Sequence, residues 1–195
     1  MNKFKMWIMV SVITAAFLMG CSSSDSKEEA SENDREQKTE SSLSLETEPD
    51  SSQIEFEGTD IEGNKVSSSV FSGSKLTMIN VWATYCNPCL SEMPGLSEIS
   101  DEYDPGEFQV IGIISDVPED ASQEMTELAA ELIEQTGADY THLLLNESLY
   151  KALLTDVTAV PTTFFIDENG MLLDTVVGAM EKEAWEERIN ELLEE

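Results

Sequence analysis

Two cysteines stand three positions apart in NVWATYCNPCLSEMP (Asn80–Pro94), and the chain has one other, Cys21. Cys86 and Cys89 at this spacing have a short list of uses: a metal clip, a haem attachment, a structural cross-link, or a dithiol that exchanges electrons. A structural zinc site takes four Cys or His ligands, and beyond this pair the chain offers only His142. Attachment of a c-type haem needs His directly after the second cysteine, where Leu90 stands. A purely structural cross-link stays open, but closing so short a loop removes little chain entropy. The residues favour a redox dithiol.

That chemistry depends on what holds the pair. Leu76–Ala83 (LTMINVWA) is a mostly apolar run of strand length that fits a buried central strand. From Asn87 to about Tyr103, Leu90, Met93, Leu96 and Ile99 recur at helical spacing, with Pro94 as an expected kink. Cys86 then falls at the helix start, where free backbone N–H groups and the helix dipole stabilise a thiolate. Cys89 lies one turn inside, its sulfur on the same face and in reach of a reducible disulfide. Cys86 is the expected nucleophile and Cys89 the resolving thiol.

The remaining pattern frames this strand and helix. IEFEGTDIEGNKVSSSVF reads as two short extended runs around a turn that uses Gly63 and Asn64. Phe108–Ser115 is a second buried strand, and Gln123–Gln135 a helix with Met125, Leu128, Ala129, Leu132 and Ile133 on its inner face. A short strand near Leu143–Leu145 and a short helix near Leu149–Leu154 follow. TTFFID and MLLDTVVG form a hairpin turned by Asn169-Gly170, and a last helix points Trp185, Ile189 and Leu192 or Leu193 inward. The order β-β, β-α-β-α-β-α, β-β-α predicts an α/β fold with a mixed sheet between helices and one antiparallel edge.

The first 52 residues differ in kind. Lys3 and Lys5 precede an apolar run over Met6–Gly20, too short for a comfortable membrane span, so residues 1–20 read as an export signal, with an uncleaved signal anchor as the alternative. LMGC, ending at Cys21, resembles a bacterial lipobox, which implies that Cys21 carries the lipid anchor and takes no part in redox chemistry. Residues 21–52 are acidic and rich in Ser and Glu, too polar to offset their ordering entropy, and read as a tether to a domain over 53–195. The formal net charge is −30, from 10 basic and 40 acidic residues. A field of that sign repels phosphate backbones, which argues against nucleic-acid binding.

WATYCNPC, with a proline inside the CxxC and a strand before it, resembles the thioredoxin superfamily, as does Val160-Pro161-Thr162 before the TFFID strand. The resemblance implies a thioredoxin-like fold with a central mixed β-sheet flanked by helices, and a cis-proline at Pro161 facing the disulfide. It further implies that Pro161 and the Val160 backbone shape a client groove, which Trp82 and Tyr85 are expected to line. Cytosolic thioredoxins carry a buried Asp where this chain has Asn80. CxxCxxE, with Glu92 three residues after Cys89, and the hairpin extension before the central strand are similar instead to the exported TlpA/ResA branch. Glu92 is then implied as a proton relay to Cys89.

The branch implies an extracytoplasmic thiol-disulfide oxidoreductase, anchored at the outer face of the bacterial cytoplasmic membrane and needing no cofactor. Its expected partners are exported disulfide-bearing clients, such as apocytochromes c, and a membrane electron donor of the CcdA or DsbD kind. The alternatives are a disulfide-forming oxidase of the same fold and a module that holds a client or haem without turnover. A peroxidase is disfavoured because no Pro-x-x-x-Thr-x-x-Cys arrangement is found. His142 is expected to be a satisfied or exposed histidine rather than a base.

Overall fold

The computed structural model describes residues 53–194; the expected leader, Cys21 and the tether lie outside them. The short strands β1 (Glu57–Thr59) and β2 (Lys65–Ser67) pair antiparallel. Asp60 holds their turn, its Oδ1 accepting from the backbone N–H groups of Glu62 and Asn64 at 3.0 and 2.8 Å. Ser68–Gly73 is a 3-10 helix. The redox segment follows as β3 (Leu76–Trp82) and α1 (Asn87–Glu102). Next come β4 (Phe108–Pro118), α2 (Gln123–Thr136), β5 (Thr141–Leu145) and a single turn α3 (Glu147–Leu149), which continues as a π-helical turn over Tyr150–Leu154. The chain closes with β6 (Thr162–Asp167), β7 (Leu172–Val177) and α4 (Lys182–Glu194).

The main sheet has the order β5-β4-β3-β6-β7. β3 runs parallel to β4 and antiparallel to β6, and β6–β7 is the antiparallel edge. As the centre of a sheet covered on both faces, β3 buries all seven of its residues. This is a thioredoxin-like fold with a mixed sheet, and the expected hairpin lies outside that sheet, bridged to it at Asp60 and Leu143.

Side chains alternate across a strand, so β3 feeds two layers. Ile79 and Val81 join Phe56, Phe71, Leu149 and Phe164 under the N-terminal hairpin and the α3 turn. Leu76 and Met78 point the other way, onto Leu96 and Ile99 of α1 and Trp185 and Ile189 of α4. Nearer the cysteines, on that same side, Trp82 meets Cys89, Met93 and Ala129.

One level of this face is polar. The register aligns Thr163, Asn80, Gly112 and His142 across β6, β3, β4 and β5. Gly112 is there because His142 lies over it: a Cβ at Gly112 would stand 2.2 Å from Nδ1 of the imidazole. At the far end, Gly170 turns β6 into β7 with φ +79°, a conformation that costs glycine little.

Two expectations are corrected in detail. β4 runs on past Ser115 to Pro118. In α2, Met125 and Leu128, expected inward, are exposed at 40% and 46%, and only Ala129 is fully covered. Met125 sits in the first turn and Leu128 falls about 100° around the helix from Ala129, whose small side chain makes the close approach.

Gly112→Ala is expected to destabilise the protein by about 1–3 kcal/mol or more, as overpacking of a closed core does. Urea titration of the full chain checks it, and the double change with His142→Ala should recover part of the loss.

Candidate active site

Cys86 ends the loop after β3 and caps α1, with extended backbone angles of −89° and 92°. Its Sγ accepts from the backbone N–H of Cys89 at 3.3 Å and is joined to Cys89 in a disulfide, with the Cα atoms 5.3 Å apart. Pro88 occupies the first turn, where a missing N–H costs nothing, and no carboxylate lies in that turn to oppose a thiolate. The preceding loop is pinned by Asp116, whose carboxylate accepts from the backbone N–H of Thr84 at 3.0 and 3.2 Å and from its hydroxyl. Cys86 is 5% exposed and Cys89 is not exposed at all. Of the two residues, only Cys86 keeps any surface open to solvent.

Behind the disulfide lies a buried carboxylate. Glu92, one turn on from Cys89, accepts at Oε1 from the Asn80 side-chain amide at 3.0 Å. Its Oε2 accepts from the Met180 backbone N–H at 3.1 Å and from the Trp185 indole at 3.3 Å. The Asn80 amide also donates to the Thr163 hydroxyl at 3.1 Å. Burial pushes the Glu92 carboxyl above the ordinary range, and these neutral donors only partly offset it. Tyr140 lies close by with its hydroxyl buried and unpaired, its titration raised by burial and by the charge of Glu92.

The other expected residues separate. Tyr85 stands 74% exposed beside Cys86, Val160 is half-buried and Pro161 is buried, with a cis bond between Val160 and Pro161. Trp82, expected to line the groove, is completely buried. The alternation of β3 turns it inward under the disulfide, where its indole donates to Nδ1 of His142 at 3.1 Å. His142 is itself buried, and its Nε2–H donates to the Ala138 carbonyl at 2.9 Å. Burial lowers this imidazole to about 4, so it is neutral at physiological pH and serves to fix Trp82. Asp116, Thr163 and Met180 join the site without any signal in their local sequence that marks them as parts of it, and the indole of Trp185 joins them. For Trp185 the available signal was a buried tryptophan, whose N–H needs an acceptor.

A thioredoxin fold carrying a Cys86–Cys89 disulfide at a helix start, with the second cysteine fully buried, defines the class: a thiol-disulfide oxidoreductase. The chain belongs to the AhpC/TSA family, whose model matches residues 50–174. Among curated proteins it is similar to the thiol-disulfide oxidoreductase ResA of Bacillus thuringiensis subsp. konkukian, 27% identical over 138 residues that span 70% of this chain and 74% of that protein. Among solved structures it is similar to a thiol:disulfide interchange protein DsbE of Chlorobium tepidum, with 27% identity, a TM-score of 0.60 and coverage of 73% and 96%. It is also similar to the exposed lipoprotein thioredoxin of Streptococcus pneumoniae, with 28% identity, a TM-score of 0.55 and coverage of 70% and 98%.

The raised Glu92 carboxyl has a consequence for stability. Above the carboxylate's unfolded value of about 4.3 and up to its raised folded value, the native state holds the proton and the unfolded state does not. Glu92 therefore makes the native state lose stability as pH rises through that window. Glu92→Gln removes this dependence, so the variant is expected to gain stability relative to the parent between pH 4 and pH 8. Urea midpoints of both oxidised proteins at the two pH values measure it; a difference that does not change with pH contradicts it.

Proposed function

We propose that the chain is an extracytoplasmic protein-disulfide reductase, tethered to the outer face of the bacterial cytoplasmic membrane through lipid on Cys21. The observation that carries the chemistry is the unequal exposure of the two cysteines, with a buried carboxylate one turn beyond the hidden one. The reduced enzyme attacks through the Cys86 thiolate, which bonds to one client sulfur and displaces the other as a thiolate that takes a proton. Glu92 accepts the proton of Cys89. The Cys89 thiolate then attacks Cys86 Sγ, the mixed disulfide breaks, and the second client sulfur leaves with the remaining electrons. Two electrons pass to the client and the Cys86–Cys89 bond re-forms.

Location and anchoring are supported by the leader and lipobox pattern before Cys21 and by similarity to a protein described as an exposed lipoprotein. Exported client proteins, apocytochromes c among them, and a membrane donor of the CcdA or DsbD kind are the partners this reading requires. A peroxidase reading lacks its residues: a Pro-x-x-x-Thr-x-x-Cys arrangement ending at Cys86 needs Pro and Thr where Ile79 and Ala83 stand.

Three outcomes are expected. Cys89→Ser traps clients as mixed disulfides on Cys86, seen as thiol-sensitive adducts, whereas a module that only binds forms none. Glu92→Gln slows resolution of the mixed disulfide by on the order of 10²-fold and flattens its pH profile. The two-electron potential of the pair, followed by Trp82 fluorescence, lies near or below about −250 mV; a value above roughly −180 mV identifies an oxidase instead.

A further inference from the structure

Among the described residues, two buried side-chain polar atoms have no hydrogen-bond partner: Oδ1 of Asn80 and the hydroxyl of Tyr140. Such groups are costly to leave unfilled, and these two are complementary, an acceptor and a donor. They also belong to one place. The Tyr140 ring stacks on His142, with centroids 4.5 Å apart and planes tilted by 34°. His142, Gly112 and Asn80 follow one another across three neighbouring strands, and Gly112 puts no side chain between the other two. Tyr140 packs against the cluster of Leu96 and Ile99 and also against that of Cys89 and Met93. Glu92 falls between those residues on the buried face of α1.

The hydrogen bonds at this spot can be counted. A carboxylate offers about four lone-pair sites. Asn80 fills one on Oε1 of Glu92, and Met180 and Trp185 fill two on Oε2, which leaves one on Oε1. The amide that donates there carries the unpartnered Oδ1. One water accepts from a hydroxyl and donates twice, so a single molecule completes Tyr140, Asn80 and Glu92 together. The titratable groups facing Glu92 are Cys89, Tyr140 and the neutral His142. To this core α2 presents Ala129 and Leu132, and α4 presents Trp185 and Ile189. Lys182 is engaged at the rim with Glu98 and Glu102, and Asp139 at the surface with Ser97.

We propose that Tyr140 is a positioning residue of the redox reaction: its hydroxyl and the Asn80 carbonyl oxygen hold one buried water against Glu92, and that water steadies the ionised carboxylate. The role in the reaction rests on Glu92 being the base for Cys89. A donor directed at the carboxylate favours the charged form, so it keeps Glu92 able to take the proton of Cys89. Without the Tyr140 hydroxyl, Glu92 retains its own proton to a higher pH.

Tyr140→Phe tests this, because it keeps the ring on His142 and removes only the oxygen. Urea midpoints of the oxidised full chain at pH 5 and pH 8 read the coupling without turnover. The variant should lose more at pH 8, where more of Glu92 is ionised, and this pH dependence should vanish in a Glu92→Gln background. In stopped-flow reduction of oxidised glutathione by the reduced full chain, Tyr140→Phe should slow the resolving step at least about three-fold at pH 6 and move the rising limb of its profile to higher pH. A crystal structure should show the water within hydrogen-bond distance of all three groups; a hydroxyl bonded directly to Asn80 or Glu92 removes it. A midpoint unchanged or raised at both pH values means that the hydroxyl has no bond to lose. A loss equal at both, or a pH dependence that survives Glu92→Gln, means that it acts elsewhere. Either result overturns the proposal and leaves the reductase standing. Coupling in the urea data, with a resolving step whose pH profile ignores Glu92→Gln, supports the water and overturns its part in the reaction together with the relay. No coupling and no effect of Glu92→Gln on that profile remove both.

Discussion

A carboxylate without a cation lies in the core of this molecule, and much of the architecture exists to hold it. An ionised group taken out of water is costly unless its lone pairs are filled. For Glu92 the donors come from three places in the chain: Asn80 of β3, the backbone before α4, and Trp185 of α4. The helix bearing the cysteines is thereby fixed to the central strand and to the C-terminal helix at a single point. The exposed ion pairs of Lys182 with Glu98 and Glu102 join α1 and α4 again at the rim, where solvent makes such contacts weak.

Because the donors are neutral, they position the carboxylate without making it a strong anion. A cation in the place of Asn80 would hold Glu92 permanently ionised and remove it from proton exchange. The amide does neither harm: it fills one oxygen, bridges to Thr163, and leaves the group able to change its protonation. His142 solves a separate problem on the same level of the sheet, giving the buried indole of Trp82 an acceptor beneath the disulfide. Gly112 between them supplies the room. Redox chemistry at Cys86 is therefore backed by a polar layer whose members never reach the surface.

The sequence was most informative where period and punctuation are strong. β3, α1, both hairpins and the inward set Trp185, Ile189 and Leu192 were legible because apolar spacing and the Asn-Gly and Gly-Asn turns report them directly. The cysteine motif carried its own location at a strand-to-helix junction. What one chain read alone conceals is register. Thr163, Asn80, Gly112 and His142 are distant in sequence, and nothing in their local patterns says that they share one row. Trp82 departs from its expected place for a related reason. Proximity to Cys86 in sequence suggested the groove, but the alternation that points Ile79 and Val81 to one layer sends Trp82 into the other. Tyr85, three residues on and beyond the strand, is the aromatic residue left at the surface.

The chain enters the domain far from its reactive end. Ile54 donates to the Gly170 carbonyl and Gln53 to that of Asn169, at the turn between β6 and β7. That turn abuts Leu76, the first residue of β3, whereas Cys86 follows the last, so the length of the strand, about 20 Å, lies between them. The domain's first described residues and its reactive cysteine thus stand at opposite ends of the central strand.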